Sequence, residues 1–372
     1  MSTDVLVTGG AGFIGSFIVD KLIEKGYKVK VFDNLDSQVH PGNRLPDYLN
    51  SEVEFIQGDI RDYEKLAKAV KRMEVIFHYA ASVGVAQSQY EIKRYVDVNI
   101  GGTANLLDIL VNERHNIKKL IVAASMSSYG EGNYHCKKCG IVRPPLRSKE
   151  QMEKKDWELY CPNCERKVKP IPTDEGARRV SNSIYAITKM AQEEMVMNIG
   201  KTYSIPAVAL RLFNVYGPRQ SLSNPYTGVV AIFISRIKNG RPPVIYEDGK
   251  QTRDFVSVHD VVQANMLALE KDEANYEVFN VGSGVARSIR SIAETLARLC
   301  QVDIVPEVTE KFRKGDVRHC FSDIFKISNK LGFKPATSFE EGMRELIEWS
   351  GKESSIDKFE KAYEELKQKG LV

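Results

Sequence analysis

The sequence predicts an α/β protein built on a doubly wound parallel sheet, and three observations predict it. Short β-rich runs alternate with helical patterns over the first 125 residues. A glycine-rich turn joins the first such run to the first such helix. Two further β-rich runs of the same kind recur after residue 200.

In chain order, strands are expected at Val5–Thr8, Lys28–Asp33, Val53–Ile56, Val75–Tyr79 and Leu120–Ala123. Helical patterns lie between them, as at Ile14–Lys25 and Asn99–Asn112. Alternation at this spacing reads as βαβ units, with helices covering both faces of the sheet. Residues 131–172 break the pattern with two CxxC pairs, five prolines and a charged run from Lys149 to Lys155, and read as an insertion. Ala207–Phe213 and Val278–Val281 return to the strand pattern. The expected organisation is therefore a domain over 1–190 interrupted at 131–172, then a smaller α/β region over 191–372 interleaved with the first sheet. The chain ends in an amphipathic helix, and its stripe of Ile356, Phe359, Tyr363 and Leu366 reads as packing.

Composition narrows the function. With 53 Lys and Arg against 49 Asp and Glu in 372 residues, the net charge of +4 is too weak to imply nucleic acid or an anionic membrane surface. No apolar stretch reaches membrane-spanning length. The start, Met1-Ser2-Thr3-Asp4, has no basic leader, so a cytoplasmic protein is expected. Isolated Cys300 and Cys320 read as small buried hydrophobes.

Chemistry begins at Thr8-Gly9-Gly10-Ala11-Gly12-Phe13-Ile14-Gly15. Gly9, Gly12 and Gly15 allow a tight turn and close approach of backbone to a pyrophosphate. The helix that follows offers free N–H groups and a partial positive charge. The flanking strand and helix make this a Rossmann-like dinucleotide loop, with Phe13 and Ile14 in its first turn. Asp33, 18 residues after Gly15, ends the second strand, followed by Asn34. A carboxylate there accepts bonds from ribose hydroxyls and repels a 2′-phosphate, which favours NAD. Asp59 and Ile60 after the third strand are placed near the adenine. The small Ala80 and Ala81 leave room under the cofactor.

Tyr185 and Lys189 stand at i and i+4, on one helix face. A nearby ammonium stabilises phenolate and brings the tyrosine toward proton exchange with a hydroxyl. Gly9/Gly12/Gly15 with Tyr185/Lys189 resembles the extended short-chain dehydrogenase/reductase superfamily, and within it the NAD-dependent nucleotide-sugar epimerases and dehydratases. The resemblance covers the chain outside 131–172. It implies a catalytic role for Ser125, a second hydroxyl at Ser127 and a structural role for Asn99 beside the cofactor. It also implies substrate binding by Asn214, Arg219, Arg253 and Arg313, with arginine suited to clamping a diphosphate. A homodimer is implied through Tyr95–Leu110 and the helix bearing Tyr185.

The resemblance also sorts the reactions. The related 4,6-dehydratases carry Asp-Glu directly after the catalytic hydroxyl, where this chain has Met126 and Ser127. Related decarboxylases carry Glu in place of Ser127. An epimerase needs neither. The stretches Phe213–Gln220, Leu222–Val229, Phe255–Asp260 and Gly315–Phe321 are most similar to the dTDP-L-rhamnose 4-epimerase subgroup. UDP-hexose or UDP-hexuronate 4-epimerases are the alternative, and a 4,6-dehydratase or 4-reductase a second one.

Cys136, Cys139, Cys161 and Cys164 form C-x2-C-x21-C-x2-C. Two such knuckles complete a tetrahedral tetrathiolate site, so a structural zinc is expected, with basic Lys137, Lys138, Arg166 and Lys167 offsetting its charge. The insertion leaves just after Ser125–Tyr129 and returns just before Tyr185, so it is expected to flank the substrate pocket.

Overall fold

A computed structural model describes residues 3–372; Met1 and Ser2 of the expected leaderless start lie outside the described residues. The first half supplies β1 (Asp4–Thr8), β2 (Lys28–Asp33), β3 (Glu54–Gln57), β4 (Val75–His78) and β5 (Lys119–Ser125). The insertion supplies β6 (Tyr134–Cys136), β7 (Gly140–Val142) and β8 (Lys169–Pro170). Then follow β9 (Ala207–Leu212), β10 (Asn214–Tyr216), β11 (Val244–Ile245), β12 (Thr252–Ser257) and β13 (Glu277–Val281). The last strands are β14 (Ala286–Ser288), β15 (Glu307–Val308) and β16 (His319–Cys320).

Seven of these form the expected doubly wound parallel sheet, in the order β3-β2-β1-β4-β5-β9-β13. Every residue of β5 and β9 is buried, as a strand covered on both faces requires. Helices Phe13–Glu24 and Val258–Glu270 cover one face. Helices Tyr63–Val70, Gly102–Asn112 and Ile184–Thr202 cover the other. A separate core unites helices Val229–Lys238, Ile289–Leu299 and Phe339–Lys352 in the C-terminal half. Residue 190 falls inside the helix Ile184–Thr202. No helix among the described residues is long and apolar enough to cross a membrane.

The departures have local causes. β5 starts at Lys119, a residue that hydropathy leaves out of a strand. Its buried ammonium donates to the carbonyls of Ala268, Leu269 and Lys271 and so closes the end of a helix. The helix expected from Asn99 begins regularly only at Gly102, after a wide π-helical turn over Val96–Gly101. Asn99 is on that turn, fully buried, bonding Ser82 through backbone N–H and C=O and the Thr188 hydroxyl. Such turns gather where one side chain must be re-aimed. Ile356 precedes the last helix, Phe359–Gln368, and is exposed, so it is not part of the packed stripe.

Candidate active site

The loops after β1, β2, β3, β4, β5 and β9 meet in one cleft of about 820 Å³ at the strands' C-terminal ends. The strand order reverses between β1 and β4, which is where doubly wound sheets open.

Along one wall runs the glycine loop. Gly9 has a left-handed φ of 71°, and a Cβ there would sit 2.7 Å from the Ala80 nitrogen. A Cβ on Gly15 would sit 2.2 Å from the Gly9 carbonyl oxygen, whereas one on Gly12 would meet nothing closer than 3.3 Å. No side chain caps the helix that starts after Gly12, so its first-turn amides are left for a ligand. Phe13, Ile14 and Gly15 line the cleft there.

The carboxylate of Asp33 accepts from the Ala11 amide at 3.0 Å and the Leu35 amide at 2.9 Å, tying the glycine loop to the end of β2. Burial pushes its carboxyl up, and the Leu35 amide, nearby His40 and the Ala11 amide pull it back. Asn34 donates to Asp59 at 3.0 Å, and Arg61 holds Asp59 down at about 2. Ile60, Ala80 and Ala81 complete this wall. Its arginines are already paired, Arg61 with Asp59 and Arg94 with Asp36. An uncapped helix start, glycines where Cβ atoms would collide, and an acidic strand end fit NAD.

At the centre, Ser125 ends β5 and caps a tight turn, accepting from the Ser127 amide at 3.2 Å and the Ser127 hydroxyl at 2.9 Å. Ser183 caps the helix that carries Tyr185, and Tyr185 and Ser125 line the same cleft. Burial raises the phenol and the Ser125 hydroxyl lowers it. Lys189 is buried one turn on, with its pKa pushed down to about 7 by desolvation.

Behind Lys189 lies a polar network that sequence reasoning missed. Its ammonium donates to Gln192 at 2.5 Å, and Gln192 donates to Thr103 at 2.8 Å and to His78 at 3.1 Å. The other nitrogen of His78 bonds Thr8 at 2.8 Å. Burial holds His78 neutral, its pKa lowered to about 3. The members come from two strands and two helices, so no local spacing announces them.

The substrate wall is only partly as expected. Asn214 and Arg313 line the cleft, and each has a buried nitrogen with no partner, Nδ2 and Nε respectively. The Arg313 guanidinium lies 4.4 Å over the Tyr246 ring. Arg253 reaches the cleft, yet donates to Thr252 and Arg318 carbonyls and to Asp316. Arg219 does not line the cleft: it pairs with Asp20 at 2.7 Å and stacks on Phe17 and Tyr48. Its left-handed φ of 66° turns it toward the first helix, so the expected substrate contact is corrected. Asn99 likewise stays out of the cleft and braces the loop after β4. Phe359, Tyr363 and Leu366 form a wall of the cleft rather than only packing, because periodicity marks an apolar face without saying what it faces.

The four cysteines of the insertion come together, with all sulfurs within 4.8 Å of one another. Cys136 and Cys164 are 3.5 Å apart, far beyond a disulfide bond of about 2.05 Å. Tyr134, Val142, Leu159 and Val168 pack around the cluster. The lobe does not reach the cleft, because none of its residues lines it. It flanks the cleft from behind, where Arg147 donates to the carbonyl of Asp316, a lining residue.

A cavity with a dinucleotide cradle along one side and the hydroxyls of Ser125 and Tyr185 on its lining belongs to a Rossmann-type, NAD-dependent enzyme. The chain belongs to the NAD dependent epimerase/dehydratase family. Residues 5–152 match that family and residues 167–346 match the family described as GDP-mannose 4,6 dehydratase. A dTDP-L-rhamnose 4-epimerase of Burkholderia thailandensis is 36% identical, over 94% of this chain and 95% of its own. A solved UDP-glucose 4-epimerase of Thermotoga maritima, with UDP-glucose, is similar with a TM-score of 0.77 and 34% identity. The match covers 94% of this chain and 99% of that one. A Thermus thermophilus UDP-glucose 4-epimerase in complex with NAD is similar at a TM-score of 0.74 and 30% identity, covering 94% of this chain and 100% of its own.

Proposed function

We propose that this enzyme inverts C4 of a nucleotide-activated hexose, with dTDP-L-rhamnose the favoured substrate and a UDP-hexose or UDP-hexuronate the alternative. One observation carries the choice of epimerisation over dehydration. The turn after β5 lines the cleft with Ser125, Met126 and Ser127, the Ser127 hydroxyl bonded to that of Ser125. The carboxylates lining the cleft are Asp33, Asp36 and Asp59 on the cofactor wall and Asp316, which is paired with Arg253. None of the described lining residues supplies the free acid and base that elimination of water needs.

Gly9, Gly12 and Gly15 with the first-turn amides would hold the pyrophosphate, Asp33 the adenosine ribose, and Tyr185 and Lys189 the nicotinamide side. Bound there, NAD supplies a reversible acceptor for the C4 hydride, so that a 4-keto sugar forms transiently and NAD is restored each cycle. Tyr185 takes the O4 proton and later returns it. Ser125 fixes O4 by hydrogen bonding, with Ser127 holding Ser125. Lys189 stabilises phenolate. Asn214 and Arg313 bind the diphosphate, and the unpaired nitrogens of both support that assignment. In this reading the substrate region is mainly residues 191–372, and the six unpaired cysteines favour a reducing, cytoplasmic setting.

The test is product analysis by NMR with dTDP-L-rhamnose, UDP-glucose and UDP-glucuronate. A C4 epimer without net NADH change is expected. A lasting 4-keto product or stoichiometric NADH consumption overturns the reading.

The lobe holds one structural zinc in this reading. At a Zn–S distance of about 2.3 Å, tetrahedral thiolates stand roughly 3.8 Å apart; the four sulfurs lie within 4.8 Å of one another, with Cys136 and Cys164 at 3.5 Å. Four thiolates leave no position for water, so the metal takes no part in the chemistry.

A further inference from the structure

The stretch between β15 and β16 carries Arg313 and Asp316 into the cleft, yet it has no regular structure of its own. Something outside it must fix its shape. The insertion does so from behind. The buried guanidinium of Arg147 grips both Glu247 oxygens at 2.8 and 2.9 Å and donates to the Asp316 carbonyl at 3.0 Å. Glu247 follows Tyr246, the ring under Arg313, and its amide donates to the Lys311 carbonyl at 2.7 Å. Trp157 stands 6.3 Å from the ring of Phe312, the neighbour of Arg313. At the far end of the stretch, buried Arg318 bonds Glu158 of the insertion at 2.8 Å, and Glu131 accepts the amides of Arg318 and His319. Arg313 itself is left with a buried, unpartnered Nε.

We infer that the four-cysteine lobe is a positioning element for nucleoside diphosphate recognition: through Arg147, Trp157 and Glu158 it sets Arg313 over Tyr246, without touching the ligand. This rests on the reading of Arg313 as a diphosphate ligand. Arg147 is then a positioning residue. Its loss displaces Arg313 and weakens nucleotide binding, while the Ser125–Tyr185–Lys189 centre, held by other elements, keeps its rate.

The experiment is calorimetric titration of the NAD-loaded full chain with UDP and with dTDP, alongside steady-state kinetics. Arg147→Gln is expected to weaken binding and raise KM by about tenfold or more, with kcat within about twofold. Because Arg147 acts through Arg313, Arg147→Gln/Arg313→Ala should bind no worse than Arg313→Ala alone. Trp157→Leu, outside the buried ion cluster, gives the same signature if Arg147→Gln does not fold. Unchanged affinity in a folded variant overturns the inference, as does a double variant whose loss is the product of the single ones. Parent protein that binds neither nucleotide overturns the substrate reading and this inference with it. Parent binding with equal binding by the variants overturns this inference alone.

Discussion

Tyr185 and Lys189 do opposite things to their own protons, and burial is the reason. A phenol out of water resists becoming phenolate, and an ammonium out of water resists staying charged. Tyr185→Phe keeps the packed ring and removes the proton carrier; activity should fall by at least about a thousandfold with NAD binding intact, near the upper range for general acid–base groups. Residual activity within a few-fold of the parent in a product assay would remove Tyr185 from its role. Lys189 makes a second, independent prediction. An unfolded lysine titrates near pH ~10.4, and here folding lowers it to about 7. Between those values the unfolded chain binds a proton that the folded chain does not, so raising the pH favours the fold. The burden of burying this group is full below pH 7 and fades toward pH 10. Cofactor-stripped parent should therefore gain stability relative to Lys189→Met as pH rises through that window, read as the difference in urea midpoints. A flat difference would mean that Lys189 is not desolvated. Their shared place on one helix at the cleft was legible from their spacing. The Gln192–His78–Thr8 support was not, because hydrogen bonds between distant strands leave no local pattern. Arg219 was misplaced because nothing in a sequence reports that φ is left-handed or that Phe17 and Tyr48 lie ready to receive a guanidinium.

Among the elements, the glycine loop shows that three glycines in one motif are not equal. Gly15 packs against the carbonyl of Gly9, and a methyl group there requires backbone movement. Gly12 has room enough for small adjustment. Gly15→Ala should therefore lose copurifying NAD and activity together, whereas Gly12→Ala should retain part of both. Absorbance and mass spectrometry of the nucleotide released on denaturation decide it, and equal occupancy in the two variants would contradict the geometry. The spacing of the loop was readable, but this ranking was not, since it depends on how closely helix and strand approach. The cysteine lobe divides in the same way. The gathering of its four sulfurs was legible from CxxC spacing, while its docking on Glu247 and Arg318 was not, because those partners are about 100 and 160 residues away from Arg147 and Glu158. Elemental analysis of chelator-free protein should find about one zinc per chain, and Cys164→Ser should reduce it. Metal-free native protein with four reactive thiols would refute the site.

For the whole molecule, the parallel sheet covered on both faces followed from the alternation of strands and helices, because each covered parallel strand must be nearly all apolar and each crossover needs a helix. Assembly does not follow so directly. On the helix Gly102–Asn112, Leu106, Leu107 and Leu110 are almost wholly buried within the protomer. What remains on the outer face of helices Gly102–Asn112 and Ile184–Thr202 is a groove lined by Ala104, Leu107, Val111, Met195, Ile199 and Tyr203, with Asp108, Glu194 and Asn198 among them. Two helices offered side by side match two from a second copy, so a dimer would bury the groove on a twofold axis as a four-helix bundle. The Tyr185 helix would run through such a bundle, and dimerisation would stiffen the element that carries Tyr185. Ala104 is half-buried at the groove, where a glutamate would add a charge and bulk to the face a second copy would cover. Ala104→Glu should convert a light-scattering mass of two chains into one at micromolar concentration and lower thermal stability, while leaving the cofactor cradle untouched. A parent protein that is monomeric at the same concentration would rule out the bundle, and a dimeric Ala104→Glu protein would move the interface to another face.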